Sequence, residues 1–229
     1  MDQEAAARSL RGCALFSEVS DADMADVVRG LRRRRFRKHE VVFHQGDPGD
    51  SLHVVGTGSI KITLPSPEGE EAIMATLREG DFFGELSLLD GAPRSASAIA
   101  MEPSETWMLQ HDVLWGLIDA DAALRRALYV GLARELRRLT GQIEELHFLD
   151  LGGRLALRIV RLAREREPDA NDVRLDWPYT QSDLAAMIGA TRQSVNKLLA
   201  ELVERDLIVI EAETLHIPDV EALEAEADR

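Results

Sequence analysis

The sequence predicts an α+β protein. An N-terminal antiparallel β-roll of jelly-roll type is followed by a long helix and by a C-terminal pair of short helices with a β-hairpin. Three observations support this prediction: regularly spaced turn signals in the first half, an apolar heptad pattern in the middle, and capping signals near the end. Turn signals at roughly ten-residue intervals are typical of antiparallel β architectures, and apolar heptads are typical of long packed helices.

Composition excludes several classes of protein. The 229 residues contain no run of apolar residues long enough for a membrane span, and the acidic start lacks the apolar stretch of a secretory signal. Cys13 is the only cysteine, so the sequence offers neither an internal disulfide nor a cysteine-held metal cluster, and it is expected in the protein core. These features lead us to expect a protein of the reducing cytoplasm.

The formal net charge of −14 is unevenly distributed. Residues 153–210 hold nine basic and nine acidic side chains, whereas seven further acidic residues follow from Glu211 onward, in what we interpret as an acidic tail. Neutralisation of phosphates supplies most non-specific affinity for DNA. A neutral module beside an acidic tail therefore predicts weak binding to random DNA, with specific binding dependent on base contacts and dimer geometry.

The first predicted domain covers residues 1–111. It begins with helical signals that include an N-cap at Ser20, and the basic run at 32–38, predicted to be a solvated edge, leads into a strand at 41–43. Apolar runs then alternate with turn clusters as far as Leu109, which favours an antiparallel barrel or roll. The turn clusters lie at residues 46–50, 56–58, 65–69 and 79–81.

Residues 112–148 are predicted to form a dimerisation helix. Apolar residues recur there at alternating steps of three and four, which favours a helix paired with its twin in a parallel dimer. The alternative is a helix that packs on its own domain. Residues 149–153 interrupt the pattern and are the predicted hinge. The apolar positions are Tyr129, Leu132, Leu136, Leu139, Ile143 and Leu146.

Residues 154–229 are predicted to form a winged helix-turn-helix domain. A helix at 154–166 and a loop at 167–172 precede Thr180 and Asp183, which are spaced as in a capping box at the start of a helix. Gly189 stands where a left-handed residue would end that helix, and a second helix begins near Thr191. A two-stranded wing is predicted from the apolar runs at 207–210 and 214–217.

The segment 82–96 combines residues suited to a phosphate and a sugar. Gly84 permits a close backbone approach before a short helical turn, whose free amides favour an anion. Arg94 offers a planar fork for a phosphate diester, and Ser95 adds a hydroxyl donor. Glu85 would repel a bare phosphate, so it indicates a ligand with a hydroxyl donor, such as a ribose beside a cyclic phosphate. Alternatively, Glu85 caps the turn or pairs with Arg94 in an empty pocket.

The helix that follows Gly189 carries polar side chains suited to base edges. Arg192, Gln193, Ser194 and Lys197 share one face, opposite an apolar face. When such a helix lies in the major groove, arginine and lysine suit guanine, and glutamine suits adenine or serves as an adaptable contact. The alternative is an ordinary amphipathic surface helix. The glycine turn, the capped preceding helix and the hairpin favour DNA recognition.

Two motifs carry a family resemblance. Phe-Gly-Glu-Leu-Ser at 83–87, followed by Arg-Ser-Ala at 94–96, resembles the phosphate-binding cassette of cyclic-nucleotide-binding domains. From about residue 12 to 217 the chain resembles the Crp/Fnr regulators, especially the cyclic-AMP receptor protein branch and its actinobacterial-type members. The resemblance implies a ligand site formed by Gly84, Glu85, Leu86, Ser87, Arg94 and Ser95, and a DNA-binding set formed by Thr180, Gln181, Thr191, Arg192, Gln193, Ser194 and Lys197.

The sequence departs from the family pattern in two places. Family members commonly reach the nucleotide base through two adjacent polar residues of the dimer helix, where this sequence has Leu139 and Thr140. Of these two side chains, only that of Thr140 can form a hydrogen bond. In the recognition helix Gln193 replaces the usual glutamate, which accepts a hydrogen bond from cytosine. We therefore expect a relaxed or altered preference at the base pair of a TGTGA-like half-site that faces Gln193.

Together these expectations describe a homodimeric, ligand-responsive transcription regulator that binds double-stranded DNA and contacts RNA polymerase. Cyclic AMP is the expected effector, with no tightly bound cofactor. No metal-ligand spacing is found among the six histidines, and Ser87 has no identifiable catalytic partner, so an enzyme is not expected. The alternatives are another cyclic nucleotide, a cyclic dinucleotide, ligand-independent action, or a regulatory subunit that acts through protein contacts.

Overall fold

The computed structural model describes residues 3–17, 19–65, 71–177, 179–211 and 214–227. The chain divides into two compact units, Met1–Leu136 and Arg137–Arg229. Most of the turn predicted at 65–69 lies outside the described residues. Within the described parts of the chain, the helices are too short or too polar to cross a membrane.

The first unit is built on two four-stranded antiparallel sheets, which confirms the predicted roll. One sheet has the strand order β1-β8-β3-β6 and the other β2-β7-β4-β5. Helices precede, interrupt and follow the strands. The elements are α1 Gln3–Gly12, α2 Asp21–Gly30, β1 Arg32–Phe36, β2 Val41–Phe43, β3 Ser51–Thr57, β4 Ile60–Pro65, β5 Glu71–Leu77, β6 Phe82–Phe83, α3 Glu85–Asp90, β7 Ser97–Ala100, β8 Ser104–Gln110 and α4 His111–Ala120.

The described residues of this unit form two apolar clusters. The smaller one contains Phe36, Val55, Ile60 and Phe83 from the strands of both sheets. The larger one joins the helices to β3 and β8 and includes Cys13, which is fully buried. Burial raises the pKa of the Cys13 thiol to about 11. Cys13 is therefore a core residue, as the sequence predicts.

The basic run at 32–38 contains a strand that lies at the solvent-exposed edge of a sheet. Arg32–Phe36 forms β1, at the edge of its sheet, and Phe36 is its one buried residue. Two of the exposed arginines form ion pairs with the neighbouring strand, because Glu105 of β8 contacts both Arg33 and Arg35. The solvated edge was predicted, but the strand was not.

The segment predicted as one helix, 112–148, contains two. Helix α4 ends at Ala120, and α5, Ala122–Phe148, begins in the first unit and ends in the second. Asp121 separates them with an extended backbone. Its carboxylate accepts hydrogen bonds from the amides of Ala123 at 2.7 Å and Leu124 at 3.3 Å, so it caps the new helix.

After α5, the described residues of the second unit form four helices and a small sheet. The sheet has the order β10-β11-β9, so the wing has a third strand that the two-stranded prediction lacked. Strand β9 alternates buried and exposed residues, and its register pairs Leu175 with Leu215. The elements are α6 Leu151–Arg166, β9 Val173–Asp176, α7 Gln181–Ile188, α8 Arg192–Glu204, β10 Val209–Glu211, β11 Thr214–Ile217 and α9 Val220–Ala227.

The acidic tail folds as a helix. Val220, Leu223 and Ala227 of α9 are buried, although acidic residues surround them in the sequence. Helix α9 packs against α6, and a Cβ carbon at Gly153 would lie 2.7 Å from the carbonyl oxygen of Ala227. Gly153 therefore lets the two helices approach closely.

The predicted hinge at 149–153 is shorter than expected. Helix α6 already begins at Leu151, so both glycines of the predicted hinge are helical. Asp150 caps this helix, and its carboxylate accepts a hydrogen bond from the amide of Gly153 at 2.8 Å. The break between α5 and α6 comprises only Leu149 and Asp150.

Candidate ligand site and nucleic-acid interface

The cassette predicted from sequence contains a glycine in the left-handed conformation. Gly84 has a φ of 84°, in the left-handed region, and stands between β6 and α3. A Cβ carbon here would lie 2.6 Å from Nη1 of Arg94 and 3.0 Å from the carbonyl oxygen of Ser51. Both the backbone conformation and the lack of space therefore require glycine.

Arg94 is a buried cation, and only 4% of it is exposed. Its Nη1 donates to the carbonyl oxygen of Gly84 at 2.7 Å, and its Nη2 donates to the carbonyl oxygen of Ser51 at 2.8 Å and to the Ser51 hydroxyl at 3.2 Å. The guanidinium carbon lies 4.2 Å from the centre of the Phe43 ring. Among the described residues, the buried Nε has no hydrogen-bond partner. A buried donor without an acceptor is costly, so this atom is suited to an acceptor on a ligand.

The loop between β2 and β3 approaches the cassette at Gly49. A Cβ carbon at Gly49 would lie 2.6 Å from the hydroxyl oxygen of Ser87 and 3.2 Å from Nε of Arg94. The Ser87 side chain is buried. The backbone of one glycine thus faces both a buried hydroxyl and the unpaired donor of Arg94.

Glu85 belongs to the same electrostatic site. Burial raises the pKa of its carboxyl, the nearby Glu135 of α5 acts in the same direction, and Arg94 opposes them. In turn, burial lowers the pKa of Arg94, while Asp50, Glu85 and Asp47 raise it. Glu85 and Arg94, on which the interpretation of the sequence depends, therefore each shift the pKa of the other.

The structure brings together four of the predicted ligand residues: Gly84, Glu85, Ser87 and Arg94. The side chains of Leu86 and Ser95 are exposed. Thr140 lies on α5 in the second unit.

Three residues of the site were missed by the sequence analysis. They are Phe43, Gly49 and Ser51, which come from β2, β3 and the loop between them. The turn cluster at 46–50 was recognised only as a turn. Nothing in the local pattern at Ser51 indicates that its carbonyl oxygen accepts a hydrogen bond from a residue 43 positions away.

The helix–turn–helix is organised by local hydrogen bonds. The Thr180 hydroxyl accepts from the amide of Asp183 at 3.1 Å, while the Asp183 carboxylate accepts from the amide of Thr180 at 2.9 Å, which confirms the capping box. Gly189 ends α7 in the left-handed conformation, as predicted. Thr191 then caps α8, because its hydroxyl accepts from the amide of Ser194 at 3.1 Å.

The polar face of α8 is open to solvent. Arg192, Gln193 and Lys197 are exposed, whereas Val195 and Leu199 are buried on the opposite face. Residues of the open face line a shallow groove, which includes two residues that were not predicted from the sequence, Asn196 and Ala200. The groove residues are Gln193, Ser194, Asn196, Lys197 and Ala200.

Gln181 connects the two helices of the motif. Its amide nitrogen donates to Oδ1 of Asn196 at 3.0 Å, and its Oε1 accepts from Nε of Arg192 at 3.5 Å, near the long limit for a hydrogen bond. The start of α7 is thereby tied to the polar face of α8. Arg192 and Gln193 keep their outer side-chain atoms available to a partner.

The apolar heptad positions of α5 are largely open to solvent in the single chain. Tyr129 is 65% exposed and Leu136 67% exposed, and Ile143 and Leu146 are each more than half exposed. Leu132 and Leu139 are half-buried, and Leu132 packs against the larger core cluster of its own unit. In the part of the chain that is described, no cluster of histidine, cysteine or acidic residues is arranged to hold a metal ion.

Comparisons with known proteins agree with both halves of this description. The model of the cyclic nucleotide-binding domain matches residues 33–121, and that of the Crp-like helix-turn-helix domain matches residues 153–226. A CRP-like cAMP-activated global transcriptional regulator of Mycobacterium tuberculosis is 32% identical over 215 residues, which cover 93% of this chain and 96% of that protein. The cyclic AMP receptor protein of Thermus thermophilus is 28% identical, with 94% and 97% covered.

Solved structures show the same fold. FixK2 from Bradyrhizobium japonicum superposes with a TM-score of 0.76 at 20% identity, covering 86% of this chain and 96% of that one. The c-di-GMP-responsive regulator CLP from Xanthomonas campestris gives a TM-score of 0.75 at 23% identity, covering 87% and 99%. With the matches to both domain models and to the mycobacterial regulator, they confirm the resemblance seen in the sequence. The chain belongs to the Crp/Fnr family of transcription regulators, in which a cyclic nucleotide-binding domain is joined to a DNA-binding helix-turn-helix domain.

Proposed function

We propose that this regulator binds cyclic AMP and that the ligand controls its binding, as a homodimer, to a palindromic operator. The observation that carries the proposal is the buried Nε of Arg94, unpaired among the described residues, which faces the same glycine, Gly49, as the Ser87 hydroxyl. Arg94 also lowers the pKa of the Glu85 carboxyl, against the effect of burial. A phosphate diester supplies an acceptor for the first two groups, and a ribose hydroxyl supplies a donor for the carboxylate. Gly84 completes the site, and Leu86 and Ser95 are proposed to contribute from its exposed side.

Cyclic AMP is favoured over other effectors by the relatives and by the charges of the site. Both relatives described above carry cyclic AMP in their names. Three carboxylates, those of Asp47, Asp50 and Glu85, act on Arg94. They tolerate the single negative charge of a cyclic mononucleotide better than the two charges of a cyclic dinucleotide. A cyclic dinucleotide is the second candidate, because one structural neighbour is described as c-di-GMP-responsive.

Recognition of the base is proposed for Thr140 on α5, on the strength of the family resemblance. Its hydroxyl is the one hydrogen-bonding group in the Leu139–Thr140 pair. With only one polar partner, the site should discriminate less strictly among bases than a site with two.

DNA recognition is proposed for the exposed face of α8. Arg192 and Lys197 suit guanine, and Gln193 suits adenine or serves as an adaptable contact. Ser194 is proposed to contribute from the same face. Contacts with the DNA backbone are proposed for the starts of α7 and α8, where amides and hydroxyls favour phosphate. The residues are Thr180, Gln181 and Thr191. The half-site is proposed to be TGTGA-like, with a changed preference at the base pair that faces Gln193.

Dimerisation is proposed for the apolar heptad positions of α5. Exposed leucine and isoleucine side chains at heptad spacing are covered when two such helices pair in parallel. A dimer then presents two copies of α8 to successive turns of the major groove, about 34 Å apart. The proposed dimer positions are Leu132, Leu136, Leu139, Ile143 and Leu146.

Control by the ligand requires that it bind one arrangement of the dimer more tightly than another. The break at Leu149 and Asp150 is the proposed pivot within the predicted hinge at 149–153. The proposed division of labour is ligand binding by residues 1–111, dimerisation by 112–148 and DNA binding by 154–229. RNA polymerase is proposed as a further partner, and the cytoplasm is the proposed location. The proposal does not include a catalytic activity.

Selection of binding sites from random DNA, with and without cyclic AMP, tests this function. We expect a palindromic consensus that is enriched only with the nucleotide. In the same assay Arg192→Ala should weaken binding to the selected site by roughly 1–3 kcal/mol and binding to random DNA much less. A consensus recovered equally without nucleotide would show ligand-independent action. Failure to recover any sequence would favour a regulatory subunit that acts through protein contacts.

A further inference from the structure

We infer that Phe43 is a positioning residue of the ligand site, whose ring holds the guanidinium of Arg94 so that Nε faces the bound phosphate. This inference rests on the proposed function, since it concerns the same site. It adds a residue that belongs neither to the cassette motif nor to the predicted ligand set. The juxtaposition that carries it is the 4.2 Å approach of the Arg94 guanidinium carbon to the Phe43 ring centre.

The guanidinium is held on three sides. Gly84 and Ser51 accept hydrogen bonds from its two outer nitrogens, which fixes the group within its own plane. Hydrogen bonds in that plane do not prevent the group from tilting. The guanidinium carbon lies over the Phe43 ring. The face of an aromatic ring attracts a cation, and this attraction opposes tilting of the guanidinium away from the ring. Nε is the one nitrogen left without a partner among the described residues.

The Phe43 ring is itself fixed by aromatic neighbours. Its centre lies 5.8 Å from that of Phe83, which in turn stacks on His53 at 5.1 Å with an angle of 20° between the planes. His53 is anchored by a hydrogen bond of 3.0 Å between its Nδ1 and the Thr106 hydroxyl. A register shift in β2 between Val41 and Phe43 accompanies this placement, and such irregularities often redirect a side chain.

The neighbouring histidine adds no competing charge. His53 is buried, and its burial, followed by the influence of Arg94, lowers its pKa to about 3. The ring is therefore neutral near pH 7 and does not repel Arg94. The three rings form an uncharged aromatic shelf, defined by Phe43, His53 and Phe83, under the cation.

Calorimetric titration of the full-length protein with cyclic AMP tests the inference. Phe43→Leu removes the aromatic face but keeps an apolar side chain, and we expect its Kd to rise about tenfold. Phe43→Tyr keeps the aromatic face, and its Kd should stay within roughly twofold of the wild-type value. Phe36→Leu is the matched control, because Phe36 belongs to the same core cluster as Phe83. It should lower the melting temperature and leave the Kd unchanged.

Three results would overturn the inference: an unchanged Kd in Phe43→Leu, an equal loss in Phe43→Tyr, or an equal loss in Phe36→Leu. Failure of the wild type to bind cyclic AMP would instead reject the proposed effector. The inference is then tested without ligand by the hydrogen exchange of Arg94 Nε–H in NMR spectra, with the signal assigned by its loss in Arg94→Lys. Exchange should accelerate in Phe43→Leu and not in Phe43→Tyr, and equal rates in all three proteins would contradict it.

Discussion

Gly49 lies so close to Ser87 that a Cβ carbon at Gly49 would come within 2.2 Å of the serine Cβ. Such a distance cannot be relieved by rotating a flexible side chain, since both atoms are attached to the backbone. The loop that contains Gly49 therefore fits against α3 only when residue 49 has no side chain.

Gly49→Ala should consequently separate this loop from α3. We expect the free energy of unfolding to fall by roughly 1–3 kcal/mol and binding of cyclic AMP to weaken, because Ser87 and Arg94 face the same glycine. Chemical denaturation and calorimetry measure the two effects. Gly116→Ala is the control: nothing lies within 4 Å of a Cβ carbon there, and alanine within α4 should stabilise the helix. Equal behaviour of the two variants would contradict the account.

The two glycines at the start of α6 should respond differently to the same substitution. In Gly153→Ala the new carbon would lie 2.7 Å from the carbonyl oxygen of Ala227, so we expect a loss of roughly 1–3 kcal/mol in unfolding free energy. In Gly152→Ala the nearest atom is Oδ1 of Asp150 at 3.3 Å, and the change should stay below about 1 kcal/mol. Denaturation curves decide between them. A larger loss of unfolding free energy in Gly152→Ala than in Gly153→Ala would show that α9 does not pack against α6 at Gly153.

Local features of the fold could be predicted from the sequence because their causes lie within a few residues. The capping box of Thr180 and Asp183 and the left-handed Gly189 are examples, since each depends on hydrogen bonds within one helical turn. Helix α9 was missed because its three buried apolar residues are embedded in acidic sequence. Strand β9 was missed because it is short and its partner β11 lies about forty residues later in the chain.

The same distinction applies to the candidate ligand site. Gly84, Glu85 and Arg94 lie within eleven residues of one another and form a recognisable motif. The residues that position Arg94 come from β2 and the start of β3, and their contacts with it span more than forty residues. Contacts between distant segments leave no periodic or capping signal in the sequence, so Phe43 and Ser51 could be assigned only from the structure.

Leu136→Glu should disrupt dimerisation. This leucine is 67% exposed in the single chain, and burying a carboxylate in the proposed helix pair would be costly. Sedimentation equilibrium should show a shift toward monomer, with loss of specific DNA binding. Arg137→Glu is the control, because Arg137 is the exposed neighbour that lies outside the apolar heptad positions. A Leu136→Glu variant that remains dimeric would contradict the proposed dimer helix.

His53 should make the stability of the protein depend on pH. Its pKa falls from 6.5 in the unfolded chain to about 3 in the folded protein, through burial and then the charges of Arg94 and Arg34, with Asp50 opposing. Between these values the unfolded state binds the extra proton. Stability should therefore decrease as pH falls below about 6.5, with a limiting slope of about 1.4 kcal/mol per pH unit from this group.

Comparison with His53→Gln between pH 7 and pH 5 isolates this contribution, since glutamine does not titrate and can still bond to Thr106. The free energy of unfolding should fall more steeply with decreasing pH in the wild type than in the variant. Parallel curves would mean that His53 is not buried as a neutral ring.

The proposed function depends above all on the convergence of Arg94, Ser87 and Glu85 around one nucleotide. Calorimetric titration with cyclic AMP, performed on the wild type, Arg94→Ala and Glu85→Gln, tests that claim most directly. We expect saturable binding to the wild type. Arg94→Ala should lose at least about 1.5 kcal/mol of binding free energy, because a charged hydrogen bond is removed, and Glu85→Gln should lose less. Equal affinity in the wild type and Arg94→Ala, or no binding to any of the three proteins, would contradict it.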